Sequence, residues 1–473
     1  MRRGQRLPAV GMNGVANIEV KKMRLKALAW LVLGLVSGHA AADDLMTVYR
    51  EGLQSDPVFA AARSSYEASK EKLPQGRALF LPNVNVVAGA NVNDADYKYF
   101  NFQGNTPPAA AGNVKWPGWN AGLNLTQPIL HLQNNAVLDQ AEILVAQAQS
   151  QLAFAGQDLM IRVAQTYFDV LLGEYELETV KAQKVATAEQ LAQAKRNFQV
   201  GTATITDTYD AQARYDLQVA AEITATNDIE VRRSALQQII GRAPGPLAKP
   251  EGKGQINLSL PEPNDMEAWV QAAYANSLQV QIAKANFEIA TKEVDRNRAA
   301  NYPTIDAVAS AIYNTQNGSQ LGVGQTVSQA TIGLQLNYPL YQGGAISSRV
   351  REAIASKSKA EQDYENARRT VAQTVRQSFL AVRTGLAEIL ALRQAVASNQ
   401  LSVDATKLGQ EVGVRTQVDV LNALGLLYTA QRDLYRAYYV TIVGQLKLKQ
   451  AVGRLTPVDL ENVNRLLIVK PVN

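Results

Sequence analysis

Apolar and polar positions alternate at period two in four places along the chain. Val84, Val86, Ala88, Ala90 and Val92 interleave with Asn83, Asn85, Val87, Gly89, Asn91 and Asn93; farther on, Leu123 and Leu125 interleave with Asn124 and Thr126. In the second half, Ile305, Ala307, Ala309 and Ala311 interleave with Asp306, Val308, Ser310 and Ile312. Ile332, Leu334, Leu336 and Tyr338 then interleave with Thr331, Gly333, Gln335 and Asn337. Period two with one apolar face predicts strand pairs at about 82–127 and about 303–339. Each pair is split by a polar, Gly/Asn-rich loop and runs up to a proline, Pro128 or Pro339. Proline has no N–H to give a ladder, so a strand that stops there and yields to a helix is expected.

After each proline the period lengthens. Tyr364, Ala367, Val371, Val375, Phe379, Val382, Leu386, Ile389, Leu392 and Val396 recur at helical spacing among Gln, Lys, Arg, Glu and Ala. Their repeat of about 3.6 residues lies between a strict heptad and a straight helix. Long helices are predicted over about 131–198 and about 345–411, each a rod of about 100 Å at 1.5 Å per residue. Return helices are predicted over about 204–240 and about 416–452. The turns between rod and return helix match: Val200-Gly201-Thr202-Ala203-Thr204-Ile205-Thr206-Asp207 and Val412-Gly413-Val414-Arg415-Thr416-Gln417-Val418-Asp419. A second match lies upstream, Tyr66 through Arg77 to Leu81-Pro82 against Phe287 through Arg298 to Tyr302-Pro303. Self-similarity at a fixed offset means that one structural unit was used twice. The organisation expected is a leader (1–42), a first repeat (43–242), a Pro/Gly-rich connector (243–263) and a second repeat (264–473).

Composition narrows the chemistry. The 473 residues include no cysteine and two histidines, His39 and His131. That excludes disulfides, thiolate metal sites and a cysteine nucleophile, and leaves an imidazole metal site or a Ser-His-Asp triad with a single usable histidine. His131 is expected at a surface or helix-start position. Lys21, Lys22, Arg24 and Lys26, the apolar run Leu28 to Val36 and the small residues Ala40-Ala41-Ala42 read as a secretory leader, with Met23 as the expected start. Residues before Asp43 hold seven Lys/Arg and one Glu, so the formal +5 of the chain leaves the remainder close to −1. Without a basic face, no nucleic-acid partner is expected. No later segment is a long uncharged apolar run, but a hydropathy scan is blind to membrane β-barrels. No phosphate-cradling glycine-rich motif is present, and the paired carboxylates sit on polar helix faces. The expectation is no enzyme, no metal and no cofactor.

Four amphipathic strands cannot close a barrel alone, since about eight is the usual minimum. Copies of the chain could pool their strands in an outer membrane, with the rods extending into the periplasm. Here the residues reach a known family. The chain resembles the TolC-type outer-membrane efflux and secretion channels in both strand pairs, in Leu340-Tyr341-Gln342-Gly343-Gly344, in the Val412 to Leu421 run, in Ile205-Thr206-Asp207 and in Lys470-Pro471-Val472. The fold this implies is mixed: a homotrimeric, twelve-stranded transmembrane β-barrel, four strands per protomer, continuous with a tunnel of paired helices. The implied function is a passive exit duct for tripartite efflux or type I protein secretion. Its partners would be a periplasmic adaptor, an inner-membrane pump or ABC transporter, outer-membrane lipid and two further copies of itself.

The resemblance also implies roles at the periplasmic tip. Asp419 matches one of two acidic rings at the constriction; Asn422 stands at the second, where the family type has Asp. The two are i and i+3 on one helix face. A ring of three carboxylates favours cations, so with Asn at the other ring the filter is expected to be weaker. Arg415 matches a gate-latching arginine whose partners correspond to Thr206-Asp207 and to a tyrosine, replaced here by Gln410. Val200, Gly201, Thr202, Val412, Gly413 and Val414 match turns that meet the adaptor. The plainer alternatives are a helix cap for Asp419, a surface ion pair for Arg415 and a glycine turn without a partner. A periplasmic coiled-coil adaptor or scaffold without a pore is the alternative for the whole chain, and a periplasmic hydrolase a distant third.

Overall fold

The computed structural model describes residues 42–98, 112–250, 256, 258–319 and 323–467. The expected leader, most of the first inter-strand loop and Lys470-Pro471-Val472 lie outside these residues. Three short helices open the described chain, α1 (Leu45–Ser55), α2 (Pro57–Lys70) and α3 (Lys72–Ala78). Strands β1 (Asn83–Tyr97) and β2 (Gly112–Leu130) follow, then α4 (Leu132–Gln199) and α5 (Ile205–Ile240). The second half repeats the order: α6 (Met266–Asn276), α7 (Leu278–Ala299), β3 (Thr304–Gln316), β4 (Gln325–Asn337), α8 (Ala345–Glu411) and α9 (Gln417–Ala451). A short α10 (Pro457–Asn464) closes it. No helix among the described residues is apolar enough over its length to cross a membrane.

All four strands join one antiparallel sheet in the order β1-β2-β3-β4. The central β2–β3 pair knits the two halves together; β1 and β4 are left as edges. The register places every apolar set on the same face. Val84 lies opposite Leu125, Leu125 opposite Ala309 and Ala309 opposite Ile332. One residue along, Asn85, Asn124, Ser310 and Thr331 form a row on the other face. No described residue covers the apolar face: Val86 is 76 % exposed and Ile332 86 %. An open sheet that shows water a face of Val, Leu, Ile and Ala is built for another medium, because single domains rarely leave so large a patch bare.

The strands meet their prolines differently. β2 runs on to Leu130, with Pro128 opposite Asp306 and a register shift between Pro128 and Leu130. Pro117 lies inside β2 opposite Val92, and its carbonyl accepts from Asn317 N at 3.0 Å. A strand tolerates proline where a bulge or an unused donor position spares the ladder. β4 ends at Asn337, before Pro339 is reached. His131 occupies the N-cap position of α4, and its Nε2 lies 2.9 Å from Asp306 Oδ1, tying the start of the rod to β3.

Each rod has two sets of neighbours in succession. α4 packs against α2, α3 and α7 near the sheet and against α5 toward the far end; α8 packs against α6 and α7, then against α9. At 1.5 Å per residue the 68 residues of α4 span about 100 Å. Polar seams hold the upper part. Buried Gln140 donates to Ile289 O (3.3 Å) and Glu293 Oε2 (3.0 Å), and buried Gln147 to Asn286 Oδ1 (2.6 Å). Buried side-chain amides are held to such partners because an unmet donor is costly.

The apolar core sits at the waist, where short helices gird the rods. Tyr167, Phe168, Leu236, Tyr438, Ile442 and Leu460 are among its members. Phe168 stacks on Tyr439 with ring centroids 5.1 Å apart. The connector runs across this core. Tyr167 Oη donates to Ala248 O (2.8 Å), Arg393 to Ile256 O (2.9 Å) and Gln445 to Ser259 O (2.9 Å). Asp56, 3 % exposed, caps α2 through Phe59 N and takes two bonds from Arg162, at 3.0 and 2.7 Å.

Candidate functional site at the helical tip

The two rod-to-return turns are built alike. Gly201 and Gly413 take φ of +80° and +79°, the left-handed region where a side chain would be strained. Around them the last carbonyls of each rod are met by turn amides: Thr202 N donates to Asn197 O and Val414 N to Gly409 O, both at 2.9 Å. Each return helix then opens with a capping box. Asp207 N donates to Thr204 Oγ1 (3.2 Å) while Asp207 Oδ2 accepts from Thr204 N (3.0 Å). Asp419 N donates to Thr416 Oγ1 (3.2 Å) while Asp419 Oδ2 accepts from Thr416 N (2.9 Å). Such reciprocal bonds satisfy amides that the first turn of a helix leaves open.

Asp419 is therefore a helix cap and an acidic tip residue at once. Both of its side-chain bonds from Thr416 go to Oδ2, and Oδ1 accepts none within the protomer among the described residues. The Thr416 backbone and hydroxyl, helped by the positive charge of Arg415, hold its carboxyl below the usual range, so it stays ionised. Asn422 is exposed one turn along the same face. Val200, Val412 and Val414 are 72, 67 and 75 % exposed, an apolar rim at the end of the molecule.

The structure brings Arg415 and Asp419 together at one turn, but not the full latch set. Among the described residues, no hydrogen bond or ion pair joins Arg415 to Thr206, Asp207 or Gln410 within the protomer. Asp207 is engaged by Thr204, Thr206 is exposed, and Gln410 contributes its carbonyl to Gly413 N at 3.0 Å. Three features had no sequence signal. Gln417 Nε2 donates to Gln190 O, tying the start of α9 to α4. Thr208 Oγ1, Gln190 Oε1 and Gln218 Oε1 are buried without a hydrogen-bond partner among the described residues. Gln218 also lines a crevice of about 190 Å³, with Thr187, Arg214, Leu421, Leu424 and Tyr428. The seam between the α4–α5 pair and α9 is thus imperfectly closed.

An open, lipid-compatible sheet continuous with long helical rods defines the subunit of an outer-membrane channel with a periplasmic tunnel. The chain belongs to the outer membrane efflux protein family, whose pattern matches residues 48–242 and 269–454. It is 32 % identical over 434 residues to the outer membrane protein TolC of Vibrio cholerae serotype O1, covering 91 % of this chain and 95 % of that one. It is 28 % identical over 443 residues to the proteases secretion protein PrtF of Dickeya chrysanthemi, covering 93 % and 94 %. Among solved structures, the Campylobacter jejuni CmeC outer membrane channel superposes with a TM-score of 0.73 at 16 % identity, over 89 % of each chain.

Proposed function

We propose that three copies of this chain close a barrel in the outer membrane and form an exit duct for tripartite efflux or type I protein secretion. The observation that carries this reading is the sheet. It has one apolar face bare along its length and two edge strands, β1 and β4, with no partner among the described residues. Backbone groups at such edges must be paired inside lipid, and closing the sheet with further copies pairs them. The family and the relatives named for TolC and protease secretion support the duct.

The tip is the gate in this reading. The exposed turns at Val200-Gly201-Thr202 and Val412-Gly413-Val414 meet a periplasmic adaptor that links the duct to an inner-membrane pump or ABC transporter. Arg415 reaches Thr206 and Asp207 of a neighbouring copy, while three Asp419 carboxylates, beside Asn422, bias the constriction toward cations. Opening is a shift between two packings of α8 and α9 against α4 and α5. The protein in planar lipid bilayers should give discrete, low-conductance steps that Arg415→Ala raises. A chain that leaves the cell in the aqueous periplasmic extract as a monomer would overturn the proposal.

A further inference from the structure

Gly409 lies inside the last turns of α8, without the positive φ that marks Gly413 four residues later. Glycine in a helix interior is unfavourable relative to alanine, so its presence calls for a reason other than backbone freedom. The reason is spatial. A Cβ added at 409 would lie 2.7 Å from Arg415 Cγ, 3.4 Å from Arg415 Cβ and 3.5 Å from Val414 Cγ2. The first distance is too short to exist, so the arginine stem would have to move. The backbone cannot easily yield instead, because Gly409 O accepts from both Val414 N (2.9 Å) and Arg415 N (3.1 Å).

The repeat supplies an internal control. The same turn in the first half puts Asn197 where Gly409 stands and Ala203 where Arg415 stands. Asn197 O accepts from Thr202 N at 2.9 Å, as Gly409 O accepts from Val414 N. With only a methyl at 203, a full side chain fits at 197. Where the turn carries an arginine, the facing position has no side chain.

We infer that Gly409 is a positioning residue: its bare Cα seats the Arg415 side chain as it folds back across the end of α8, and so aims the guanidinium at the constriction. This rests on the gate reading of Arg415. The test compares wild type, Gly409→Ala, Arg415→Ala, the double variant and Asn197→Ala in planar bilayers. Gly409→Ala should give the conductance rise of Arg415→Ala to within about twofold, and the double variant should add nothing to Arg415→Ala. Asn197→Ala should conduct as wild type. Thermal stability of Gly409→Ala should be unchanged or higher, which separates a displaced arginine from a damaged helix. Trypsin cleavage after Arg415, followed by mass spectrometry, reads the seat without reference to gating and should be faster in Gly409→Ala. Wild-type conductance in Gly409→Ala, an additive double variant or an unchanged cleavage rate would each overturn the inference. Wild-type conductance in Arg415→Ala would overturn the gate reading instead, and the cleavage rate would still decide the seat.

Discussion

The sheet makes a sharp prediction at two adjacent positions. Ile332 stands in the row Val84–Leu125–Ala309–Ile332, and Thr331 in the row Asn85–Asn124–Ser310–Thr331. Successive residues of a strand face opposite sides, so lysine at one meets lipid and at the other meets the lumen. Lysine on the lipid face costs about 2–4 kcal/mol near the bilayer midplane. Ile332→Lys should therefore lower the folded-to-unfolded ratio by about thirtyfold to a thousandfold per copy. Urea titration of the protein refolded into lipid vesicles measures this directly. Thr331→Lys should stay within about 0.5 kcal/mol of wild type, as solvated substitutions do. It should instead move the reversal potential under a salt gradient toward anions, since each copy in the proposed barrel would add a lysine to the bore. If Ile332→Lys folds as wild type while Thr331→Lys fails to insert, the faces are reversed and the barrel argument is wrong.

Three further outcomes are expected. Asp419→Ala should weaken blockade by trivalent cations if the carboxylates form the proposed ring; blockade at wild-type concentrations would place the filter elsewhere. Arg162 holds the Asp56 carboxyl below its usual value of 3.8. The stabilisation is thus complete above that pH and is lost as pH falls through the lower folded value. Arg162→Met should destabilise by about 3–5 kcal/mol at neutral pH, since it strands a buried carboxylate. Denaturation followed from pH 7 to pH 2 should show that gap closing in acid; a gap independent of pH would rule out the ion pair as its source. Gly413→Ala forces a side chain into φ +79° and should cost about 1–2 kcal/mol, read as a lower midpoint in thermal unfolding.

Much of this architecture is legible in the sequence because its parts are long and periodic. Alternation over Val84 to Val92 and Thr331 to Tyr338 marked a face that the ladder then aligned across all four strands. The duplicated Val-Gly turns marked the place where each rod reverses. Pro128 misled slightly, because a missing donor matters only where the ladder would use it, and the strand runs on past it to Leu130. The start of β2 was also hidden, since Trp116, Pro117 and Gly118 blur the alternation. At the tip, Asp207 and Asp419 could be picked out as a matched pair, and the plainer reading of Asp419 as a helix cap is the one the structure shows. The crevice by Gln218 and the tie from Gln417 to Gln190 were out of reach, because pattern shows which face is apolar and not which amides meet across a seam. Gly409 was passed over for the same reason: a glycine that makes room looks, in one dimension, like any other.

The uneven distribution of apolar packing along the rods has a mechanical consequence. Beyond the waist the clusters shrink to Leu191, Ala194 and Ala211 in one helix pair and Val403, Ala423 and Leu427 in the other. The waist is a fulcrum and the far ends are long, weakly clamped levers. In the proposed duct, a partner that grips the tips would work against these small clusters and the polar ties around them rather than against the core at the waist. Under that proposal, the force that opens the tube would be small, local and applied from one end.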